Sequence, residues 1–486
     1  MGLSRRQTIV LGMLALASAL AYLLISAWYY RVGFPLDDAW IHQTYARNLA
    51  WRGEWAFMPG QPSGGSTSPL WTMLLTLGYL FRVPFRAWTY LLGVLLLFGT
   101  AWLGERLLRQ TLPAYRPKFP WFGAFLAMEW HLAWAAVSGM EILLFIVLTL
   151  LIFCALFSER KRFLSVGLLT GLLVWVRPDG LTLLGPALWA ILFSTKSWKE
   201  RTGALFLLSF GFALPFAFYL LFNLRLSGAM WPNTFYAKQA EYAVYLQISL
   251  LTRLGQQFLQ PLVGAGLFLL PGVAWALFRV LSQRRWLEAA IPLWIIGFLT
   301  LYALRLPVTY QHGRYAMPVL PFFALLGWVG WWSLRSRMKQ LAWRWRTMAV
   351  LTFGALTLAF WGRGAVAYAQ DVAVIESEMV QIAHWAATHL PAGAVVAAHD
   401  IGALGYFTSF HLLDLAGLVS PEVIPFLRDE AALADFLDRR GAQYLITFPD
   451  WYPTLTSSLQ PIYVTNSPYA PMFGERNMAV YRWNGR

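Results

Sequence analysis

The sequence predicts a polytopic α-helical membrane protein of about 11 transmembrane helices with a small C-terminal α/β domain. Of its 486 residues, 58% are hydrophobic and only 13% are charged. Apolar runs of about 20 residues, the length that a helix needs to cross a bilayer, recur between basic clusters. After about residue 370 these runs stop and shorter segments follow, which indicates a change of domain.

The N-terminus is typical of a retained first span. Arg5 and Arg6 precede an apolar stretch from Thr8 to about Tyr30, which is too long for a signal-peptide core and has no clear cleavage site after it. The run SRRQ is similar to a twin-arginine export signal, but a basic flank that holds a helix end in the cytoplasm explains it better. We therefore expect a cytoplasmic N-terminus.

Basic clusters set the predicted topology, because arginine and lysine accumulate in cytoplasmic loops. The clusters are Arg5/Arg6, Arg106–Lys118, Glu159–Arg162, Lys196–Arg201, Arg284/Arg285 and Arg335–Arg346. The spans that fit between them are 8–30, 87–105, 119–137, 140–157, 163–176, 181–195, 203–223, 261–280, 287–304, 315–333 and 347–365. The apolar segment Pro69–Phe81 is too short to cross, so we expect an interfacial or re-entrant helix there.

This scheme divides the chain into a membrane module, residues 1–366, and an extracytoplasmic domain, residues 367–486. Residues 31–86 form the first outer loop. From Asp371 onward the net charge is −6, against +21 for the preceding part, as expected for basic inner loops followed by a separate acidic domain. We expect a multi-pass protein of the cytoplasmic (inner) membrane.

The C-terminal domain is predicted from short alternating patterns. The expected helices are 376–390 and 432–440, and the expected strands are 394–398, 443–447 and 478–483. Nucleic-acid binding is disfavoured, because the basic residues lie between apolar spans and form no continuous stripe.

Asp37 and Asp38, in the run FPLDDAWIHQTYARNLA, are the leading candidates for chemistry. Ionisable side chains at a bilayer surface are costly unless they have a task. Because neighbouring side chains point in different directions, we expect one carboxylate to face a substrate while the other caps the following helix or binds a neighbouring base. His42 shares the face of Asp38 one turn later. The alternative is two solvated loop aspartates.

Other polar residues fall at the predicted outer ends of spans. Glu141 lies in the SGME turn, and Arg177 and Asp179 lie in WVRPDG. Each alone can be an ordinary interfacial anchor. Together with the aspartates they predict a polar cluster at one face of the membrane.

Cationic and hydrogen-bonding side chains on the same side predict an anionic ligand. They are Asn233, Tyr236 and Lys238 in WPNTFYAKQAEY, and Arg305, His312, Arg314 and Tyr315 in RLPVTYQHGRYAMP. Outer arginines oppose the positive-inside trend, and a phosphate explains them; structural pairing with Asp179 or Glu141 is the alternative. No metal site is assigned, because the remaining histidines lack zinc-ligand spacing and Cys154 is the only cysteine.

Seven motifs in order resemble the integral-membrane glycosyltransferases of the GT-C superfamily. They are DDAWIHQTYARNLA, SGGSTSPLW, SGMEILLF, RPDG, PNTFYAK, GRYAMPVLPFF and DLAGLVSPEV. The nearest group looks like the bacterial polyprenyl-phosphate-sugar-dependent enzymes of the arabinofuranosyl- and mannosyltransferase type. The resemblance covers nearly the whole chain.

The resemblance implies a polyprenyl-phosphate sugar donor used at the outer face, a glycan, lipid or protein acceptor, and residues 31–86 as the catalytic loop. It implies Asp37 as the general base, with Asp38 as the second residue of the acidic pair. Arg47, in the same run DDAWIHQTYARNLA, is a further predicted substrate-binding residue. Trp40, His42 and the SGGST run depart from the pattern of relatives, which puts the sugar in doubt. No cofactor is assured, and the sequence leaves a divalent cation open without indicating one.

The chemistry agrees with an inverting transfer, in which a base takes the acceptor proton while phosphate leaves from the opposite face of the sugar. Two alternatives stay open. A transporter or flippase for a lipid-linked or anionic substrate would place its charges near mid-membrane, whereas here they lie at span ends. A membrane scaffold that recruits a partner through its C-terminal domain is the other.

Overall fold

The computed structural model describes residues 2–335 and 343–485. Residues 336–342, within the predicted basic cluster Arg335–Arg346, lie outside the described residues. The helices up to residue 259 are α1 (Arg5–Tyr29), α2 (Asp38–Arg52), α3 (Pro69–Leu80), α4 (Phe85–Thr111), α5 (Trp121–Met128), α6 (Trp130–Val137), α7 (Ile142–Leu156), α8 (Phe163–Val176), α9 (Leu184–Ser194), α10 (Trp198–Ser227), α11 (Asn233–Glu241) and α12 (Leu250–Leu259).

The later helices are α13 (Gly266–Ser282), α14 (Ala290–Arg305), α15 (Tyr310–Gly313), α16 (Leu320–Leu334), α17 (Trp343–Ile375), α18 (Gln381–His389), α19 (Gly402–Phe407), α20 (Glu430–Arg439), α21 (Pro453–Thr456) and α22 (Tyr469–Met472). The strands are β1 (Ala56–Met58), β2 (Gln61–Pro62), β3 (Val395–Ala398), β4 (His411–Asp414), β5 (Tyr444–Thr447), β6 (Pro461–Val464) and β7 (Ala479–Arg482).

Local sequence signals set several helix ends. A capping box begins α1, where the Ser4 hydroxyl accepts a hydrogen bond from the Gln7 amide at 3.3 Å and Gln7 Oε1 accepts one from the Ser4 amide at 3.0 Å. Pro69 occupies the first turn of α3, and Gly53 ends α2 in the left-handed conformation. The first outer loop therefore holds two stable helices around the β1–β2 ribbon.

Each of the 11 predicted spans falls on a helix or on a broken pair of helices. Among the described residues, five helices are long and apolar enough to cross a membrane, or six if the bent pair Leu250–Leu262 and Gly266–Ser282 is one span. Shorter apolar helices, among them α7, α8 and α14, account for other predicted spans. A helical architecture with several long apolar helices is thus observed, while the count of 11 spans stays a prediction. α3 is one of the short apolar helices, and its interfacial position also stays a prediction.

The last predicted span continues past the predicted domain boundary. α17 passes through a π-helical turn, Glu376–Val380, into α18, so that a single helix runs from Arg346 to His389. The boundary at 366/367 lies inside this helix. The predicted helix 376–390 is its end rather than a separate element.

A mixed five-stranded sheet with order β4-β3-β5-β7-β6 follows the long helix. β3 is parallel to β4 and β5, and β7 is antiparallel to β5 and β6. Three strands and α20 lie where the sequence predicts them, whereas β4, β6 and α19 were not predicted. We call residues 376–485 the C-terminal unit.

Candidate active site

The two neighbouring aspartates at the start of α2 enter different environments. We expected one of them to cap α2, but the Asp37 side chain makes no hydrogen bond to the first turn of that helix. It accepts instead from the backbone amides of Gly402 at 2.6 Å and Ala403 at 2.9 Å, at the beginning of α19. The predicted cap of α2 by Asp37 is therefore not formed, and Asp37 binds the first amides of α19 in the C-terminal unit instead.

Asp37 is buried, with 8% of its surface exposed. Burial raises the pKa of Asp37 to about 6, because desolvation of the carboxylate outweighs the two amide hydrogen bonds that favour its charged form. Asp38, His399 and Asp400 are the charged or titratable groups that influence it most closely.

Asp38 lines a cavity of about 550 Å³. Its Oδ2 lies 2.8 Å from Arg314 Nη2 and 3.6 Å from Lys238 Nζ. Burial acts to raise the pKa of Asp38, but the charges of Lys238 and Arg314 outweigh it and hold the pKa well below its usual range. Asp38 is therefore ionised at neutral pH and paired with two cations.

His42 and Glu141 form a second polar group on the cavity wall. His42 Nδ1 lies 3.1 Å from the Thr72 hydroxyl, and its Nε2 lies 3.7 Å from Glu141 Oε2. Burial lowers the pKa of His42, so the imidazole is neutral at pH 7. Asp38 and His42 share one face of α2 and both line the cavity, as their spacing predicts.

Arg177 and Asp179 are paired with each other. Arg177 Nε and Nη2 lie 3.2 and 3.0 Å from the two carboxylate oxygens of Asp179, and the Tyr302 hydroxyl donates to Asp179 at 2.6 Å. The charge of Arg177 is thus compensated by Asp179 within the described residues.

Strained backbone precedes the cavity arginine Arg314. Gln311 and His312 in α15 have φ values of 53° and 59°, a left-handed conformation that is costly for residues with a Cβ. His312 Nε2 lies 2.7 Å from Asp371 Oδ2 on α17. This pair holds the turn that directs the chain into Arg314 and Tyr315.

Eight of the predicted site residues line the cavity: Asp38, His42, Glu141, Arg177, Asp179, Lys238, Arg314 and Tyr315. Apolar side chains share its wall, among them Trp231, Phe235, Leu301 and Leu306. Arg305, one of the outer cations named from the motif RLPVTYQHGRYAMP, also lines it. The cavity therefore joins a charged centre to an apolar wall.

Five predicted residues lie outside the cavity lining: Asp37, Arg47, Asn233, Tyr236 and His312. Arg47 donates to carbonyl oxygens of α19. Asn233 begins α11, and its backbone amide donates to the Gly64 carbonyl at 3.2 Å. The roles of these five residues in substrate binding or catalysis stay predictions. Within residues 2–335 and 343–485, no three His, Cys, Asp or Glu side chains are arranged to hold a metal ion.

Comparisons with known proteins add the following findings. Residues 365–481 match a family described as a domain of unknown function, DUF8728. A comparison with curated protein sequences finds no match.

Solved structures resemble the chain over almost its whole length. ArnT from Cupriavidus metallidurans in the apo state aligns with a TM-score of 0.58 and 13% identity over 97% of each chain. The same protein bound to undecaprenyl phosphate gives 0.56 and 14%, again over 97% of each chain. The Archaeoglobus fulgidus oligosaccharyltransferase tethered with an acceptor peptide gives 0.57 and 12%, over 90% of this chain and 69% of that chain.

At these identities the likeness is one of fold. The fold is the one found in ArnT and in the oligosaccharyltransferase, so the GT-C resemblance predicted from the sequence motifs is confirmed at the level of fold. The narrower resemblance to arabinofuranosyl- and mannosyltransferase types stays a prediction.

Proposed function

We propose that this protein transfers a sugar from a polyprenyl-phosphate donor to an acceptor hydroxyl, with the reaction centre in the cavity beside Asp38. The shared fold supports this class of reaction, and ArnT has been solved with undecaprenyl phosphate bound. A polyprenyl-phosphate donor has a charged phosphate and an apolar tail. A cavity with a cationic centre and an apolar wall suits both parts.

Arg314 provides the observation that carries the proposal. Its Nε and Nη1 are buried and have no hydrogen-bond partner among the described residues, while Nη2 lies against Asp38. Buried donors without a partner are costly, and a ligand with several anionic oxygens would satisfy them. Lys238, beside the same carboxylate, adds a second charge for a phosphate.

The charges of the cavity also favour an anion. The lining holds four cations and three carboxylates, namely Arg177, Lys238, Arg305 and Arg314 against Asp38, Glu141 and Asp179. Arg305 forms no ion pair within the part of the chain that the structure describes. The uncompensated charge lies next to Leu301 and Leu306, where a prenyl chain can lie beside its phosphate.

Asp38 is the general base in this proposal. It takes the proton of the acceptor hydroxyl as the acceptor oxygen bonds to the anomeric carbon, and the bond from that carbon to the phosphate oxygen breaks on the opposite face. When the donor phosphate attracts Lys238 and Arg314, Asp38 loses its counter-charges and becomes a stronger base. The assignment of Asp37 as base stays a prediction, and its carboxylate lies outside the cavity lining.

The proposal includes an orientation. The cavity opens on the outer side of the inner membrane, the N-terminus lies in the cytoplasm, and the C-terminal unit lies outside. Support comes from the basic clusters of the predicted inner loops. The sugar, the acceptor and the prenyl length are left unassigned.

The test is transfer by purified protein from a panel of radiolabelled polyprenyl-phosphate sugars, with and without a chelator. We expect Asp38→Asn to lower turnover on the order of a hundredfold to ten-thousandfold, because an amide cannot accept the proton. Asp37→Asn is the matched variant and should retain measurable turnover.

Two results would contradict this assignment. Retention of more than about a tenth of the activity by Asp38→Asn would remove Asp38 as the base, and an inactive Asp37→Asn beside it would restore Asp37. Absence of transfer with every donor, together with movement of lipid-linked substrate across vesicles, would favour the flippase alternative.

A further inference from the structure

Both ends of α19, a short helix of the C-terminal unit, bind side chains at or within α2. At the beginning of α19, Asp37 accepts from the amides of Gly402 and Ala403. Near its end, Arg47 Nη1 donates to the carbonyl oxygen of Tyr406 at 2.5 Å and Nη2 to that of Gly405 at 3.3 Å. Asp37, directly before α2, and Arg47, within it, thus meet opposite ends of the same helix.

This arrangement matches the electrostatics of a helix. The first amides and the last carbonyls of a helix have no partner within it, and the two ends carry partial charges of opposite sign. A carboxylate at the first amides and a guanidinium at the last carbonyls satisfy both ends. Reversing α19 relative to α2 would bring like charges together, so the contact fixes direction as well as position.

α19 packs closely against both the start of α2 and β1. A Cβ at Gly402 would lie 2.2 Å from the Asp37 carbonyl oxygen, and one at Gly405 would lie 2.2 Å from the Phe57 ring. The Trp40 ring packs against Tyr406 and Phe407, with ring centres 5.0 and 4.8 Å away. These contacts hold the first turn of α2, where Asp38 lies.

The C-terminal unit also reaches the cavity itself. Leu418 is part of the cavity lining. Val419 lies close to Gly65 of the first loop, where a Cβ would be 2.6 Å from its side chain. The matched domain of unknown function, residues 365–481, includes Leu418, Val419 and α19.

We propose that the C-terminal unit positions the acidic pair. The hydrogen bonds that join α19 to Asp37 and Arg47, which together we call the grip, hold α2 so that Asp38 points toward Lys238 and Arg314. Asp37, Arg47 and Gly402 are positioning residues in this account. The catalytic consequence rests on the proposed function, whereas the grip itself does not.

The first test compares Gly402→Ala and Arg47→Met with Gly354→Ala, a glycine on α17 whose Cβ would meet no atom within 4 Å. Hydrogen exchange of the peptide covering residues 38–52 should rise in both variants and stay at the parent level in the control. This readout needs no activity. Unchanged exchange in folded Gly402→Ala and Arg47→Met would overturn the grip.

Turnover and donor affinity give the second readout. We expect kcat to fall on the order of 10-fold to 100-fold in both variants, as for a catalytic group displaced by up to about 1 Å. The Kd for undecaprenyl phosphate should stay within about twofold, because neither residue lines the cavity. Arg47→Lys should recover part of the loss. If Gly402→Ala does not fold, Arg47→Met carries the test.

The pH profile separates positioning from base catalysis at Asp37. Because the pKa of Asp37 is raised to about 6, its carboxylate accepts both amides above pH 6 and is protonated below it. The parent should lose kcat/KM as the pH falls through about 6, with Asp38, His399 and Asp400 as its charged neighbours. Asp37→Asn should keep reduced turnover and lack this acid limb. Complete loss of turnover at every pH would overturn the positioning role.

The two proposals fail differently. If the parent transfers no sugar from any donor but the exchange of residues 38–52 rises in Gly402→Ala, the grip stands and the proposed reaction does not. If transfer occurs and neither exchange nor kcat changes in the variants, the reaction stands and the grip does not.

Discussion

At the scale of single residues, the cavity cations have unequal partners. Arg177 has a bidentate carboxylate, Arg314 has one carboxylate contact and two buried nitrogens without a partner, and Arg305 forms no ion pair among the described residues. Such differences decide which cation a phosphate engages, because a compensated guanidinium gains less from a new anion.

We therefore expect Arg305→Ala and Arg314→Ala to lower kcat as well as donor affinity, and Lys238→Ala to do the same. The loss in kcat should be on the order of a hundredfold, since contacts to a leaving group strengthen as it gains charge. Lys238→Ala combined with Arg314→Ala should cost less than the product of the single losses if both bind the same phosphate.

Initial rates at varied donor concentration measure these effects. Lys199→Ala is the control, because this exposed lysine lies in a predicted inner loop and does not line the cavity. Parent-like rates and affinities in all three cavity variants would assign the cations to structure and move the phosphate site elsewhere.

At the scale of helices, close packing depends on glycine at particular crossings. α13 and α16 meet where a Cβ at Gly330 would lie 1.7 Å from the Gly272 carbonyl oxygen. Helices in a bilayer gain stability from such close backbone approach, since burial of apolar surface drives little association there. One added methyl group must separate the helices or bend one of them.

Gly330→Ala should therefore lower the thermal midpoint of the purified protein, at a cost of roughly 1–3 kcal/mol. Gly354→Ala makes the same chemical change where the Cβ meets no atom within 4 Å, and it should leave the midpoint unchanged or slightly raised. Equal midpoints for the two variants would show that α13 and α16 are not in close contact.

Helix breaks are the elements that the sequence conceals. The predicted span 119–137 is interrupted at Glu129, whose carboxylate accepts from the Leu132 amide at 3.1 Å and caps α6. The segment is apolar on both sides of Glu129 and His131, so hydropathy averaged over a whole span does not show the break. The reverse occurs at Glu376, where the composition changes from apolar to mixed but the helix continues without a break.

At the scale of the whole molecule, the proposed function depends on which side of the membrane the cavity opens. A cysteine introduced at exposed Ser457 should react with an impermeant maleimide in intact cells, and one at exposed Lys199 should react only after permeabilisation. The parent is the background control, since its single Cys154 is buried. Reversed labelling would place the cavity on the cytoplasmic side.

The GT-C type of fold, nine of the cavity residues (the eight site residues and Arg305) and three strands could be predicted from the sequence, because hydropathy, charge and short motifs depend on nearby positions. α19 and the partner of Asp37 could not. The sequence of α19, GALGYF, is short and weakly periodic, and its contact with α2 is a tertiary one. Two adjacent carboxylates in a chain with few charges indicated the acidic pair. The different environments of Asp37 and Asp38 could not be predicted, because they are set by residues far along the chain.

The hydrogen bonds of Asp37 also set an order in time. They join residues that are 365 and 366 positions apart, and ribosomes add roughly 5–20 residues per second. The first loop is therefore made about 20 seconds or more before its partner helix exists. During that interval Asp37 lacks its contact with α19. A chain whose synthesis stops before α19 would therefore carry every cavity cation and still lack the contact that positions Asp38.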